Sequence, residues 1–480
     1  MNYKMLRYVI GQILKVEAAL MGLPLLVSLY YRDSGLLPIL SVMLPLGFFG
    51  YILTAVKPKN QVIYAREGFV IVALAWLLMS AFGALPFVIS GYIPNFIDAL
   101  FETVSGFTTT GSTILTDIEA LPKGLLFWRS FTHWIGGMGV LVFALAILPG
   151  GSAQSMHIMR AEVPGPTVGK LVAKTQLTAR ILYGIYMFLT ALEIVLLKLT
   201  GMDWFDCVVN AFATAGTGGF SVLNAGIGGY NNVWAEMVIT VFMLIFSINF
   251  NLFYMLLMKQ FSAVLKNTEV KVFLGIYIIA ALLITGNIVS MYNSFAEAFR
   301  YAGFTAASII SSTGFGTADY TLWPGFSQTI LIMLMFCGAC AGSTGGGLKV
   351  ARVIILCKSA VSEVRRQLNP RLVSTVKLEG QLVDREQIRT QGAFFVWYML
   401  ILLISTLVLS IDNFGFEVSF SAAVTCINNI GPGLGKIGPY GNFSEFSWFS
   451  KLVLTADMLI GRLEIFPILV FFMPRTWKKA

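Results

Sequence analysis

Apolar side chains in this chain fall into long unbroken blocks, with few stretches that alternate at a strand's period of two. Ten blocks are long enough to cross a ~30 Å hydrocarbon core as helices, which takes about 17–25 residues. They lie at Val9–Tyr30, Leu36–Val56, Phe69–Ile89, Trp128–Leu148, Ile181–Leu199, Val233–Met258, Val272–Met291, Phe326–Leu356, Phe394–Ile411 and Leu452–Met473. The first has a basic start but no small-residue cleavage site before the next block, so it reads as a retained helix and not a signal peptide.

Four further segments are too polar for lipid and too apolar for ordinary loops. They read NFIDALFETVSGFTTTGST, DWFDCVVNAFATAGTGGFS, EAFRYAGFTAASIISSTGFGT and FEVSFSAAVTCINNIGPGLG, and each sits between two blocks. Each carries acids near its start, then about three turns of small and apolar residues, then a Gly/Thr-rich end. Helical stretches of about 10–14 residues do not span a bilayer and are expected to be re-entrant. Aligned on their ends, the glycines are Gly111, Gly218, Gly314 and Gly431, at a near-constant interval that suggests duplicated units of span, short helix, loop and span. The predicted fold is therefore an all-α membrane protein of ten spans with four re-entrant pore helices. Its parts are a two-helix hairpin at 1–60 and repeats at 61–170, 171–265, 266–380 and 381–480, the third with an interrupted second span.

Asp98, Asp206, Glu297 and Glu417 fall in the first turns of the short helices, where negative charge complements the macrodipole. Ser294 and Glu297 have capping-box spacing. Ordinary capping accounts for these acids.

Composition agrees with a lipid environment. Of 480 residues, 57% are hydrophobic and 12% charged, with mean hydropathy +0.78, against about 25% charged residues in soluble domains. The net charge of +9 is topological. With a cytoplasmic N-terminus, ten spans return the C-terminus to the same side, and 25 of the 33 Lys and Arg residues then lie on cytoplasmic ends and loops. The cysteines, Cys207, Cys337, Cys340, Cys357 and Cys426, are expected to be buried, inert thiols. Cys337 and Cys340 have CxxC spacing without the second ligand pair that a tetrahedral metal site needs.

A cation crossing a membrane exchanges its water shell for protein oxygens, most densely supplied by rings of backbone carbonyls. Irregular backbone at membrane depth is tolerated only where it lines a cavity or is buried in protein. Glycine is needed where φ is positive, and a preceding helix should aim its negative C-terminal end at the ion. The four segments fit this chemistry at Thr109-Thr110-Gly111, Gly216-Thr217-Gly218, Ser312-Thr313-Gly314 and Asn429-Ile430-Gly431. An anion site would want the reverse order of helix and loop.

These residues carry a resemblance. FETVSGFTTTGST and RSFTHWIGGMGVLVFALAILP within Phe101–Pro149, SINFNLFY at Ser247–Tyr254, SSTGFGTADY at Ser311–Tyr320, GACAGSTGGGLK at Gly338–Lys349, NNIGPGLG at Asn428–Gly435 and GRLEIFP at Gly461–Pro467 are similar to the Trk/Ktr/HKT potassium-transporter superfamily. The two extra N-terminal spans favour its TrkH/TrkG branch over the shorter KtrB branch. The resemblance implies potassium uptake across a bacterial inner membrane and a homodimer with one pore per protomer. It also implies a TrkA-like cytosolic ring as regulator, carrying the nucleotide (ATP/ADP or NAD), with no cofactor on this chain itself. Glycine at all four filter positions favours potassium by analogy, because some plant members with serine at the first prefer sodium.

Gly338, Gly342, Gly345, Gly346 and Gly347 interrupt the eighth block. Each Gly costs ~1 kcal/mol relative to Ala in a helix, so an unwound strip is expected, serving as a gate or as a packing kink. The expected gate comprises Gly342, Ser343, Thr344, Gly345, Gly346, Gly347 and Arg462. A Walker-A reading of Gly342–Lys349 fails, since Leu-Lys stands where Lys-Ser/Thr is required. Arg462 lies within the last block, where a charge normally faces a pore or a partner. Its partner would be Asp457 or Glu464, whereas the resemblance places such an arginine in the pore. Asn249 and Asn251 could bond between helices or touch the gate, and His133 and His157 are read as packing and surface residues.

A sodium- or proton-coupled potassium symporter is the rival transport mechanism. An integral-membrane enzyme is disfavoured by two histidines, no paired acids on one helix face and no cofactor motif. The basic stretch Lys349–Arg389 is long enough to dock a cytosolic partner.

Overall fold

The computed structural model of the chain describes residues 1–60, 63–139, 175–369, 371 and 375–477. Among the described residues the regular structure is helical apart from one short antiparallel hairpin, β1 (Lys377–Leu378) with β2 (Gln381–Leu382).

Among the described residues, six helical stretches are long and apolar enough to cross a membrane: Tyr3–Tyr31, Leu36–Thr54, Arg66–Ile89, Leu177–Leu199, Thr268–Met291 and Arg385–Asp412. The first is two helices, α1 (Tyr3–Leu20) and α2 (Gly22–Tyr31), and the second contains α3 (Leu36–Thr54). The other four are α4 (Ala65–Ile89), α7 (Thr175–Leu199), α12 (Thr268–Ile288) and α16 (Arg385–Leu409).

Three of the remaining four expected spans are not single helices. The sixth breaks into α9 (Val233–Phe246) and α10 (Phe250–Leu257), bent by 92°, and the short α11 (Phe261–Lys266) follows. The eighth breaks into α14 (Gly325–Cys337) and the amphipathic α15 (Val350–Leu368), as its glycines suggest. The tenth breaks between α18 (Trp448–Arg462) and α19 (Phe466–Phe472), where Glu464 and Ile465 both have φ of 60°. The fourth begins as α6 (Lys123–Gly137) and its far end lies outside the described residues. Only the eighth break is visible as glycine density. At the sixth, Asn249 caps α10 by accepting from the Asn251 amide at 2.9 Å, restarting the helix in a new direction.

Between these long elements stand four short helices: α5 (Phe96–Phe107), α8 (Trp204–Gly216), α13 (Phe295–Ile310) and α17 (Phe416–Ile427). A 12-residue helix such as α5 is about 18 Å long, too short to cross. Asn95 caps α5 through the Ile97 amide at 2.8 Å, and Ser294 caps α13 through the Glu297 amide at 3.2 Å. The Glu297 carboxylate reaches back to the Asn293 amide, one residue before the box position.

Packing of the short helices is cyclic. Each lies against the helix before it, the helix after it, and the following helix of the previous unit. Thus α5 meets α4, α6 and α18; α8 meets α7, α9 and α6; α13 meets α12, α14 and α9; α17 meets α16, α18 and α14. The hairpin α1–α3 packs outside this ring, on α4 and α6. Side chains such as Leu26, Phe48, Met333, Ile404 and Leu407 remain exposed on the outer surface, as an apolar solvent permits. Four cysteines are at least half-buried, but Cys357 is exposed on α15, against the expectation that all five are buried.

Candidate functional site: four loops and the strip beneath them

Each short helix ends in the same closure. At the first, the Thr109 amide donates to the Gly106 carbonyl at 3.1 Å and the Thr110 amide to Ser105 at 2.9 Å. The same pair recurs as Thr217 to Thr214 and Gly218 to Ala213, as Ser312 to Ile309 and Thr313 to Ser308, and as Asn429 to Cys426 and Ile430 to Thr425. This is a Schellman closure, whose turning residue is left-handed and usually Gly or Asn. Here that residue is Thr109, Thr217, Ser312 or Asn429, with φ of 58°, 55°, 58° and 53°. Left-handed backbone costs ~1–2 kcal/mol per non-glycine residue, and such strain persists where the surroundings over-determine it, often at functional sites.

Two residues later the backbone turns left-handed again, at Gly111, Gly219, Gly314 and Gly431, with φ of 83°, 75°, 83° and 103°. This corrects the expected register of the second segment by one residue. Its triad is Thr217-Gly218-Gly219, and Gly216 is the last residue of α8. The doublet Gly218-Gly219 conceals the shift, because either glycine matches by type.

The four glycines close a ring. A Cβ on Gly111 would strike the Gly218 carbonyl oxygen, one on Gly219 that of Thr313, one on Gly314 that of Ile430, and one on Gly431 that of Thr110. Each glycine therefore lies against the residue preceding the equivalent glycine in the next segment, in one rotational sense. The same four glycines line a cavity of about 90 Å³, together with Ser112, Phe315, Tyr440 and Phe443. The turning residues and their successors are buried.

Supports behind the ring include residues that sequence reasoning passed over. His133 on α6 bonds through Nδ1 to the Gly106 carbonyl at 2.6 Å, and its Nε2 accepts from the Phe220 amide at 3.3 Å. Both roles are filled only by the neutral ring protonated at Nδ1. A Cβ on Gly218 would enter the imidazole, so His133 backs the second loop and is more than packing. His157, the other histidine, lies outside the described residues. Glu102, in the middle of α5, accepts from Thr113 Oγ1 at 2.9 Å and the Ile114 amide at 2.9 Å, and pairs with Arg129 Nε at 2.6 Å. Arg129 lies 3.5 Å from the centre of the Phe220 ring and donates to the Ser221 carbonyl at 3.2 Å. A charge mid-way along an apolar segment was the available signal for both.

Beneath the ring, on the side of the helix C-termini, lies the strip 338–349. Most of it is buried despite its irregular backbone. The Gly346 amide donates to Ser312 Oγ at 2.5 Å, and a Cβ on Gly346 would strike the Asn428 carbonyl. The strip thus abuts the third and fourth loops. Thr344 Oγ1 donates to the Phe246 carbonyl at 3.0 Å, where α9 breaks, and the Phe250 amide donates to the Gly342 carbonyl at 3.0 Å. Asn249 lies beside Gly342 as well, so of its two expected roles it fills the contact with the strip.

Arg462 reaches across the same space. Its guanidinium donates to the Thr344 carbonyl at 2.8 Å, to Gly136 at 2.5 Å and to Gly137 at 2.6 Å. It joins the fourth unit to the strip of the third and to α6 of the first. The two acids expected as its partners are engaged elsewhere: Glu464 pairs with Arg352, and Asp457 accepts from Ser405 at 2.8 Å.

Comparison with known proteins identifies the family. The TrkH family, described as a cation transport protein, matches residues 46–479. The chain is 34% identical to the Trk system potassium uptake protein TrkH of Escherichia coli K12 over the full length of both. It is 32% identical to TrkG of the same organism, covering 95% of this chain and 94% of that one. The crystal structure of the potassium transporter TrkH from Vibrio parahaemolyticus superposes with a TM-score of 0.89 at 32% identity, covering all of both chains. With a family match over most of its length, a common architecture and one ring of four glycine-bearing loops, the chain belongs to the TrkH family of cation transport proteins.

Proposed function

We propose that this chain takes up potassium through a carbonyl-lined selectivity filter formed by the four loops. Its residues are Thr109, Thr110 and Gly111; Thr217, Gly218 and Gly219; Ser312, Thr313 and Gly314; and Asn429, Ile430 and Gly431. The observation that carries this reading is the closed ring in which each glycine meets a carbonyl of the next loop. Four strands of backbone this close around one axis bring enough oxygens together to replace a lost hydration shell. Four short helices direct their negative ends to the space below, which suits a cation. On this reading the short helices are re-entrant pore helices, and the repeats are pseudo-fourfold units around one pore, with the hairpin 1–60 outside them. The potassium uptake named for the E. coli relatives supports the choice of ion.

The strip 338–349 acts as the gate, and Arg462 as the charge that holds it shut. A fixed guanidinium in the path repels a permeating cation, and its bond to Thr344 links that charge to the strip's position. Opening requires Thr344 to leave Arg462 and the strip to withdraw from Ser312.

Basic residues on Lys349–Arg389 support cytoplasmic termini, by the charge bias across the spans, and docking of a nucleotide-binding TrkA-like regulator. Family likeness also supports a homodimer in the bacterial inner membrane. Rb⁺ uptake into proteoliposomes, with sodium and pH varied independently, tests the core of the proposal. Uptake driven by the Rb⁺ gradient alone is expected. Strict dependence on a sodium or proton gradient would replace the channel with a coupled symporter, and uptake of sodium equal to that of Rb⁺ would remove the filter.

A further inference from the structure

Glu269 stands in the first turn of α12, in the third unit, and its side chain is buried. One oxygen, Oε1, accepts from the Ala341 amide at 2.7 Å and from the Ala351 amide at 3.1 Å. Those amides belong to the two ends of the strip: Ala341 lies just inside its start, and Ala351 just past its end, in the first turn of α15. A single carboxylate oxygen therefore fastens both ends to the same helix.

The end of α12 that carries Glu269 is itself held from outside. Glu379, at the tip of the β1–β2 hairpin, accepts through Oε1 from the Thr268 and Glu269 amides, each at 3.0 Å. Glu379 and Gly380 have φ of 51° and 75°, the left-handed pair that a tight two-residue hairpin turn requires. Lys358 on α15 donates to the Lys377 carbonyl at 2.9 Å, tying the hairpin to the helix that leaves the strip. The contacts run without a gap from an exposed turn to the buried loop.

We infer that Glu269 is a positioning residue that latches the strip in its closed place, and that the hairpin carrying Glu379 is the handle by which a cytosolic contact releases it. This rests on the gate reading above. The physical requirement is simple. A glycine-rich strip lacks helical hydrogen bonds to fix it, so its position is set by the groups that anchor its ends. Buried amides accept no free loss of partner. With the oxygen withdrawn, both ends of the strip lose their shared acceptor at once, and the net cost is about that of one charge-assisted bond once the freed amides find other partners.

The test uses the full chain in proteoliposomes, with two readouts. One is Rb⁺ flux, with the Rb⁺-over-Na⁺ ratio measured alongside. The other is alkylation of Cys340, a buried thiol within the strip, followed by mass spectrometry. E269A is expected to raise flux and the Cys340 modification rate about tenfold, the consequence of about one charge-assisted bond, with the ion ratio kept. E269Q retains an acceptor oxygen and should stay within about threefold of the parent. E379A, on the exposed hairpin, should raise both readouts less, and E269A/E379A should not exceed E269A, because Glu379 acts through Glu269. Deleting Gly345–Gly347 tests the gate itself. If that deletion raises flux while E269A and E379A leave flux and Cys340 at parental values, the latch is wrong and the gate stands. If the deletion leaves flux unaltered, the gate falls and the latch falls with it. A loss of the ion ratio in E269A would make Glu269 a support of the filter instead.

Discussion

Arg129 and Glu102 form an ion pair at 2.6 Å with side chains only 2% and 0% exposed. The pair joins the short helix of the first unit to the helix that follows it, and through Phe220 and Ser221 to the second loop. Removing one member of a buried pair costs ~3–5 kcal/mol because a charge is left uncompensated. Glu102→Ala should therefore lower the melting temperature in detergent and, since Thr113 and Ile114 also lose their acceptor, lower potassium-over-sodium selectivity. Selectivity retained in a folded Glu102→Ala protein would leave the pair a purely structural role.

The corrected register of the second loop makes a prediction that separates two adjacent glycines. A Cβ on Gly219 meets backbone, the Thr313 carbonyl, at left-handed φ, whereas one on Gly218 meets the His133 ring. Both Gly219→Ala and Gly218→Ala should impair Rb⁺ uptake. A second substitution, His133→Ala, should recover uptake for Gly218→Ala and leave Gly219→Ala impaired. Recovery of both, or of Gly219→Ala alone, would return the register to Gly218.

Gly111 tests the ring from the first unit. Serine there must adopt left-handed φ, at ~1–2 kcal/mol, and its Cβ strikes the Gly218 carbonyl. Gly111→Ser should reduce the potassium-over-sodium permeability ratio by about tenfold, if about 1.4 kcal/mol of the strain falls on the potassium-bound form. Bi-ionic flux measurements with an unchanged ratio would count against this loop as part of the filter.

Arg462→Gln removes the charge but keeps a donor for the carbonyls of Thr344, Gly136 or Gly137. A barrier lower by about 1.4 kcal/mol raises flux about tenfold, and this variant should show an increase of that order with the ion ratio held. A flux equal to that of the parent would leave Arg462 a structural brace between units.

The sequence by itself determined the membrane-transporter family, the helical class and the places of four short helices, each followed by a glycine-bearing turn. These are properties of local pattern: block length, charge fraction, and helix-then-glycine order recurring along the chain. Tertiary structure decided the rest. Gly218 and Gly219 are equivalent as letters, and only the neighbouring Thr313 carbonyl selects between them. The breaks at Ser247–Asn249 and Leu463–Ile465 lie in runs that read as parts of continuous spans, yet Asn249 caps a restarted helix at the first and Glu464 and Ile465 have positive φ at the second. Arg462 had acids two and five residues away as candidate partners, yet its bonds go to carbonyls more than a hundred residues distant. Hydrogen bonds are specific to position in space, and a linear pattern records which groups need partners but not which partners the fold will bring.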